Sequence, residues 1–137
     1  MGNLNAIFRE FASPDWSSIN IGVIAGPSDF EIENHKGSMK SWKEFGQFVF
    51  QLTRDRDQLP ASIKEIVHQL TGDIIDPLNK VTRLYEYLQK NTRYVSVQLG
   101  IGGWQPYNAT YVAANSYGDC KALVNYMYSL LKEANIG

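Results

Sequence analysis

Cysteine and histidine are nearly absent from this sequence, and their scarcity limits what it can encode. Among 137 residues there are one cysteine, Cys120, and two histidines, His35 and His68. A single cysteine cannot form an internal disulfide, and it cannot contribute to a zinc site built from paired cysteines. We therefore expect no disulfide-stapled scaffold and no zinc site of that kind. No other metal site and no bound cofactor is expected in this chain.

Long apolar runs and an excess of one charge are also missing. No run of roughly 18 apolar residues occurs, which predicts a chain without a membrane span. The 13 basic and 14 acidic side chains leave a formal net charge of −1. This balance argues against a nucleic-acid partner, which requires a basic surface. The remaining composition is globular, and 137 residues suit one domain of ordinary size.

The spacing of hydrophobic residues changes near residue 40 and divides the chain into two parts. Before that point, apolar and polar residues alternate over 19–23 and 30–32, which predicts two short strands. Residues 34–37 have the composition of a turn. We expect residues 1–40 to be a strand-and-turn segment, either the tail of a preceding β-rich domain or a linker.

After residue 40 the apolar spacing follows the period of a helix, so the sequence predicts an α+β fold that is predominantly helical over 41–137. Gly72 and Asn91 are placed to end two helices. A strand is predicted over 93–99 and a short helix over 109–115. Three further positions have residues suited to cap a helix N-terminus: Ser41, Asp76 and Asp119.

The last predicted helix begins at the lone cysteine, with Gly118 and the N-cap Asp119 before it. Unpaired backbone N–H groups and the helix dipole at such a start favour a thiolate, and they can hold the oxyanion of a tetrahedral intermediate. At about 100° per residue, Cys120 is predicted to face inward with the apolar side of the helix. Such a cysteine is either a placed nucleophile or an inert core residue. The predicted apolar side consists of Leu123, Val124, Met127, Leu130, Leu131 and Ala134.

Several motifs follow one another in the second half of the chain. They read LYEYLQKNTRYV at 84–95, GIGGWQP at 100–106 and YGDCKA at 117–122. In this order of helix, strand, glycine loop and cysteine at a helix start, the chain resembles the transglutaminase-like superfamily, which has a papain-like cysteine core. It is most similar to a bacterial branch in which this core follows a β-rich domain of unknown function. The resemblance covers about residues 38–136.

This resemblance implies a reaction and a nucleophile. Cys120 would attack peptide or protein amides and form a thioester, as in an acyltransferase, an amidohydrolase or a cysteine protease. In the family, the base histidine and its orienting aspartate follow the cysteine, whereas neither residue type follows Cys120 in this sequence. The resemblance therefore implies the N-terminal, cysteine-helix half of the core, a truncated domain that is inactive alone. It also implies an exported parent protein, periplasmic or at the cell surface.

Three further residues are candidates for the wall or the oxyanion side of the acyl-donor cleft. They are Trp104 and Gln105 in the glycine loop and Tyr117 before the cysteine motif. The alternative for Trp104 is a packing role at the helix start, because large aromatic side chains are usually buried. His35 lies in the predicted turn and His68 on the outer part of a helix, so neither is expected to act as the base.

Two alternatives to the acyl-transfer interpretation remain open. The first is a non-catalytic papain-like binding domain in which Cys120 is a core cysteine. The second is a small helical adaptor. The apolar side of the last helix needs a covering layer, and we expect self-association where that layer is missing. The expected partners are therefore a peptide or protein substrate and a second copy of the chain.

Overall fold

The computed structural model of the protein describes residues 26–136, and the strand predicted over 19–23 lies outside the described residues. Within that range the chain folds into five α-helices, one short 3-10 helix and two small sheets, which confirms the predominantly helical α+β class. The helices are α1 (Trp42–Thr53), α2 (Ala61–Thr71), α3 (Pro77–Asn91), α4 (Ala109–Asn115) and α5 (Cys120–Glu133). The strands are β1 (Asp29–Ile32), β2 (His35–Ser38), β3 (Arg93–Tyr94) and β4 (Tyr117–Gly118), and the 3-10 helix is Gly100–Gly103.

The first sheet is an antiparallel hairpin of β1 and β2, in which Asp29 pairs with Ser38 and Ile32 with His35. Its turn consists of Glu33 and Asn34, whose φ angles of 47° and 68° suit a tight two-residue hairpin. The turn predicted over 34–37 is therefore wrong, because most of that segment is the second strand. Its sequence, HKGS, lacks the apolar alternation that identifies a strand.

Helix α1 packs its inner face on this hairpin. Ser41 caps its N-terminus, because the Ser41 hydroxyl accepts a hydrogen bond from the Glu44 N–H at 3.2 Å, as predicted. The buried side chains are Phe48 and Leu52, whereas Trp42 is 88% exposed. The Phe48 ring meets the Phe30 ring of β1 edge-to-face, with centroids 4.9 Å apart.

Helices α2, α3, α4 and α5 enclose the main hydrophobic core. Helix α2 ends at Thr71, directly before Gly72, and α3 begins with Pro77 after the N-cap Asp76 and ends at Asn91, as predicted. Fully burying a leucine or valine side chain stabilises a fold by about 1.5–3 kcal/mol. The buried members of this core are Leu59, Ile63, Val67, Leu84, Leu88, Ala109, Val112, Ala122, Tyr126, Leu130 and Ala134.

The second sheet is shorter than the sequence predicts. Strand β3 covers two residues and pairs in parallel with β4, and the N–H of Val95 makes the last hydrogen bond, to Gly118 O at 2.9 Å. The strand predicted over 93–99 is therefore too long, because β4 is only two residues long. The short helix predicted over 109–115 is confirmed as α4.

Candidate functional site

The start of α5 is held in place by Asp119. This residue is only 3% exposed, and its Oδ1 accepts a hydrogen bond from the Ala122 N–H at 3.0 Å. Its second oxygen, Oδ2, lies 2.5 Å from the Lys121 ammonium. Gly118 is required just before it, because a Cβ there would lie 2.8 Å from the Cβ of Ala122. The predicted N-cap is confirmed, and it fixes the direction in which the helix leaves β4.

Cys120 is the first residue of α5, and its side chain is exposed. The prediction of an inward-facing thiol is therefore wrong, and so is the interpretation of Cys120 as a core cysteine. The buried side of α5 is centred on Ala122, Tyr126 and Leu130, roughly a quarter-turn from the predicted side at 100° per residue. Val124, predicted to face inward, is 69% exposed.

Two buried polar residues explain this rotation. Asn125 donates a hydrogen bond from Nδ2 to Arg56 O at 2.7 Å, and Ser129 donates from Oγ to Asn125 O at 2.6 Å. Because each polar group has a partner, both residues can be buried beside the core leucines. Counting only hydrophobic side chains places the buried face of α5 too far towards Leu123 and Leu131.

The Cys120 side chain opens into a groove of about 830 Å³ between α5 and the end of α1. Cys120, Val124, Tyr128 and Lys132 recur every four residues along α5, a row that extends about 18 Å at 1.5 Å per residue. Much of the lining is apolar and exposed, including Phe50 at 69%. The remaining lining residues are Val49, Thr53, Arg54, Asp55, Asp57, Gln58, Trp104, Pro106, Lys121 and Asn125.

Trp104 lines the same groove as Cys120. It is 40% exposed, and its ring meets the rings of Phe45 and Phe48 edge-to-face, with centroids 6.0 and 6.2 Å away. These contacts pack the indole against α1, and its exposed part lines the groove. Trp104 therefore has a packing role and also forms a wall of the site.

Gln105 and Tyr117 are not among the residues that line the groove. The Gln105 N–H donates to Ile101 O at 2.7 Å, which belongs to the turn that follows the 3-10 helix. The Tyr117 hydroxyl is hydrogen-bonded to that of Tyr111, and this bond is the main cause that raises the pKa of Tyr111 to about 12. The structure thus unites Cys120 with Trp104 and leaves the other two candidates outside.

Charged groups at the far end of the groove form an ion pair. The Lys132 ammonium lies 2.5 Å from Asp57 Oδ2. This hydrogen bond lowers the pKa of Asp57 although burial opposes the shift, and it raises the pKa of Lys132. The sequence alone does not predict this pair, because its partners are 75 residues apart.

Neither histidine lies against the thiol. His35 Nδ1 is 3.0 Å from the Glu33 carbonyl oxygen in the hairpin turn, and His68 Nε2 is 2.9 Å from Glu133 Oε1 on the other side of α5. Glu133 also pairs with Lys64 at 3.2 Å. Burial would raise the pKa of Glu133, but these two partners outweigh it and lower the pKa. Neither imidazole lines the Cys120 groove.

The described residues contain no cluster of three or more acidic, histidine or cysteine side chains that is suited to a metal ion. From residue 26 to residue 136, no helix is both long enough and apolar enough to cross a bilayer. Comparison of the chain with protein-family models, curated proteins and solved structures gives no significant match.

Proposed function

We propose that Cys120 is the nucleophile of a transglutaminase-like core that acts on peptide or protein amides. The single observation that supports this proposal best is the exposed thiol at the first position of α5, open to a groove with an apolar lining. The start of α5 is held in place by the buried Asp119, whose Oδ1 accepts a hydrogen bond from the Ala122 N–H. A rigid nucleophile beside a binding groove is what acyl transfer requires.

The proposed reaction has two steps. The thiolate adds to the carbonyl carbon of an amide, and the tetrahedral intermediate then collapses to a thioester as the C–N bond breaks and the amine leaves with a proton. In the second step an amine or water attacks the thioester carbon, which releases the product and the thiol. An amine acceptor gives a new amide, and water gives a carboxylic acid.

The N–H groups at the start of α5 are suited to the oxyanion of that intermediate. Asp119 already accepts hydrogen bonds from the N–H groups of Ala122 and Leu123, through Oδ1 and its carbonyl oxygen. The N–H groups of Cys120 and Lys121 have no acceptor among residues 26–136. Preorganised backbone donors of this kind stabilise the developing negative charge.

The proposal also requires a general base, and no histidine lines the groove in the described part of the chain. We therefore propose that this chain is the cysteine-bearing part of the core and that it has no turnover by itself. With an amide substrate, we expect neither amine incorporation nor peptide hydrolysis above the level of a Cys120→Ser control. Cys120-dependent turnover by this chain alone would contradict this part of the proposal.

Activated esters test the nucleophile without the base. The chain is mixed with the 4-nitrophenyl ester of an N-acetylated peptide, and acylation is followed by nitrophenolate release and intact mass. The matched control is Cys120→Ser/Val124→Cys, which moves the thiol one turn along the same groove to a position that is 69% exposed. We expect Cys120 to react about tenfold faster or more, because only that position faces the free N–H groups. Equal rates would refute the proposed role.

A peptide-binding module without chemistry is the second candidate, and one observation favours it. The groove presents exposed apolar side chains but no histidine against the thiol. In that case a peptide would bind the groove with the same affinity in the wild type and in Cys120→Ser, and the two thiol positions would react equally with the ester. The same pair of variants therefore distinguishes the two functions.

A further inference from the structure

The Trp104 wall of the groove depends on the 3-10 helix that precedes it. The Trp104 N–H donates a hydrogen bond to Ile101 O at 2.8 Å, so the indole follows the position of this short helix. The helix has no cap of its own, because Leu99 at the N-cap position has no side-chain acceptor. Uncapped helix N-termini leave backbone donors without partners.

Glu33 supplies the missing acceptor from the hairpin turn. Its Oε1 accepts the hydrogen bond of the Ile101 N–H at 3.1 Å, across 68 residues of sequence. Gly100 makes this approach possible, since a Cβ there would collide with the Glu33 carboxylate. Gly100 also has a φ of 53°, which L side chains rarely adopt. The absence of a side chain at Gly100 therefore leaves the space that the Glu33 carboxylate occupies.

A second connection joins the hairpin to Trp104. The Phe30 ring of the hairpin contacts the Phe48 ring with centroids 4.9 Å apart, and Phe48 in turn contacts Trp104 at 6.2 Å. The hairpin therefore reaches the groove wall through a hydrogen bond to the 3-10 helix and through a chain of aromatic rings. A displacement of the hairpin would be transmitted to Trp104 by both connections.

We propose that Glu33 is a positioning residue that holds Trp104 as the wall of the Cys120 groove, so that the hairpin controls access to the thiol. The consequence for acyl transfer rests on the proposed function above, whereas the positioning of Trp104 does not. Without the Glu33 contact, the 3-10 helix loosens and the indole moves away from the groove. Bulky reagents then reach Cys120 more easily, and small ones are little affected.

Three variants of the full chain test this role. Glu33→Ala removes the acceptor, and Glu33→Gln retains an oxygen that can accept the Ile101 hydrogen bond. Glu31→Ala is the matched control, because Glu31 is an exposed carboxylate of the same hairpin with no hydrogen bond or ion pair among residues 26–136. Far-UV circular dichroism checks the fold, and Glu33→Asp, one methylene shorter, replaces Glu33→Ala if that variant does not fold.

Three measurements follow the connection from one end to the other. Amide exchange of Ile101 should accelerate about 5-fold in Glu33→Ala, the factor expected for one lost hydrogen bond. The 19F resonance of 5-fluorotryptophan at Trp104, assigned with Trp104→Phe, should move. The rate of Cys120 labelling by pyrenyl maleimide should rise relative to that by iodoacetamide. Glu33→Gln and Glu31→Ala should resemble the wild type in all three.

Two results would overturn the proposal. In the first, Ile101 exchange accelerates while the Trp104 resonance and the labelling ratio stay unchanged, which would make the Glu33 contact local. In the second, Glu31→Ala produces the same changes, which would make them a general effect of altering the hairpin. Neither result depends on ester acylation, so failure of the proposed function remains distinguishable.

Discussion

The two carboxylate oxygens of Asp119 bind different partners at the start of α5, where the candidate site lies. One oxygen caps α5 through the Ala122 N–H, and the other holds the Lys121 ammonium. The cap could be predicted because it is local, since an Asp before an apolar helix favours this geometry whatever surrounds it. The ion pair with Lys121 could not, because a lysine in the first turn of a helix usually points into solvent.

Replacing this cap should measurably destabilise the fold. We expect Asp119→Ala to lower the free energy of unfolding by about 1–2 kcal/mol, because the Ala122 N–H loses its acceptor in a buried position. Asp119→Asn retains an acceptor oxygen and should lose less than half as much. Urea denaturation measures both variants. Equal losses of unfolding free energy in the two variants would show that the lost hydrogen bond to the Ala122 N–H does not cause the destabilisation.

The Asp57–Lys132 pair predicts a dependence of stability on pH. The Lys132 hydrogen bond lowers the pKa of Asp57 in the folded state, so its contribution is present above the unfolded value of about 3.9 and is lost as pH falls through the folded pKa. The stability advantage of the wild type over Asp57→Asn should therefore be full at neutral pH and disappear in acid. Urea midpoints measured against pH provide the test.

Asp55→Asn is the control for this prediction. Asp55 is 84% exposed and lies 3.5 Å from Arg54, so its ion pair is weak. We therefore expect this variant to have nearly the same urea midpoint as the wild type at neutral pH. An Asp57→Asn difference that persists unchanged below the unfolded pKa would contradict the role of the ion pair.

At the scale of elements, the ends of helices are easier to predict from the sequence than the buried face of a helix or the length of a strand. Gly72, Asn91 and the start at Pro77 act through the backbone of their own helix, and each boundary is confirmed. The inner face of α5 depends on partners of Asn125 and Ser129 that lie elsewhere in the chain or within the helix. Strand lengths also depend on distant partners, which is why the alternating pattern over 93–99 predicts a longer strand than the two residues of β3.

The contact between the hairpin and α1 provides a test with two opposite outcomes. A Cβ on Gly37 of β2 would collide with the Phe30 ring and lie 2.9 Å from Phe48 Cδ2. Gly37→Ala should therefore lower the free energy of unfolding by about 1–3 kcal/mol.

Gly46 lies within α1, and a Cβ added there would meet no atom within 4 Å beyond the backbone of its own helix. Gly46→Ala should instead raise stability by about 0.5–1 kcal/mol, because alanine favours the helix.

Thermal or urea denaturation of the two glycine variants measures the change in stability at a packed position and at an open one. The comparison is informative because the same atom is added in each case, once against aromatic rings and once into open space. A Gly37→Ala variant as stable as the wild type would show that the hairpin does not pack on α1 as described. A loss of stability in Gly46→Ala would contradict the open space at that position.

At the scale of the whole molecule, the apolar side predicted for the last helix does not need a second copy to cover it. Leu130 and Ala134 are buried, and Leu123, Met127 and Leu131 pack against the core formed with α2, α3 and α4. The predicted route to self-association through these residues is therefore wrong. The apolar surface that stays exposed on α5 is the opposite one, with Val124 and Tyr128, and it continues to Phe50 of α1.

This relocation leads to a prediction about self-association. Exposed apolar side chains that lie together, as Phe50, Val124 and Tyr128 do, favour contacts between molecules. We expect the sedimentation coefficient of the wild type to increase with protein concentration. The Phe50→Ser/Val124→Ser variant should remain a monomer, with a sedimentation coefficient that does not increase. The control is Ile75→Ser/Leu78→Ser, which removes side chains that are 96% and 71% exposed near the start of α3, outside the groove, and should associate like the wild type. A wild type that is monomeric at every concentration, or equal loss of association in both double variants, would refute the assignment of association to the groove.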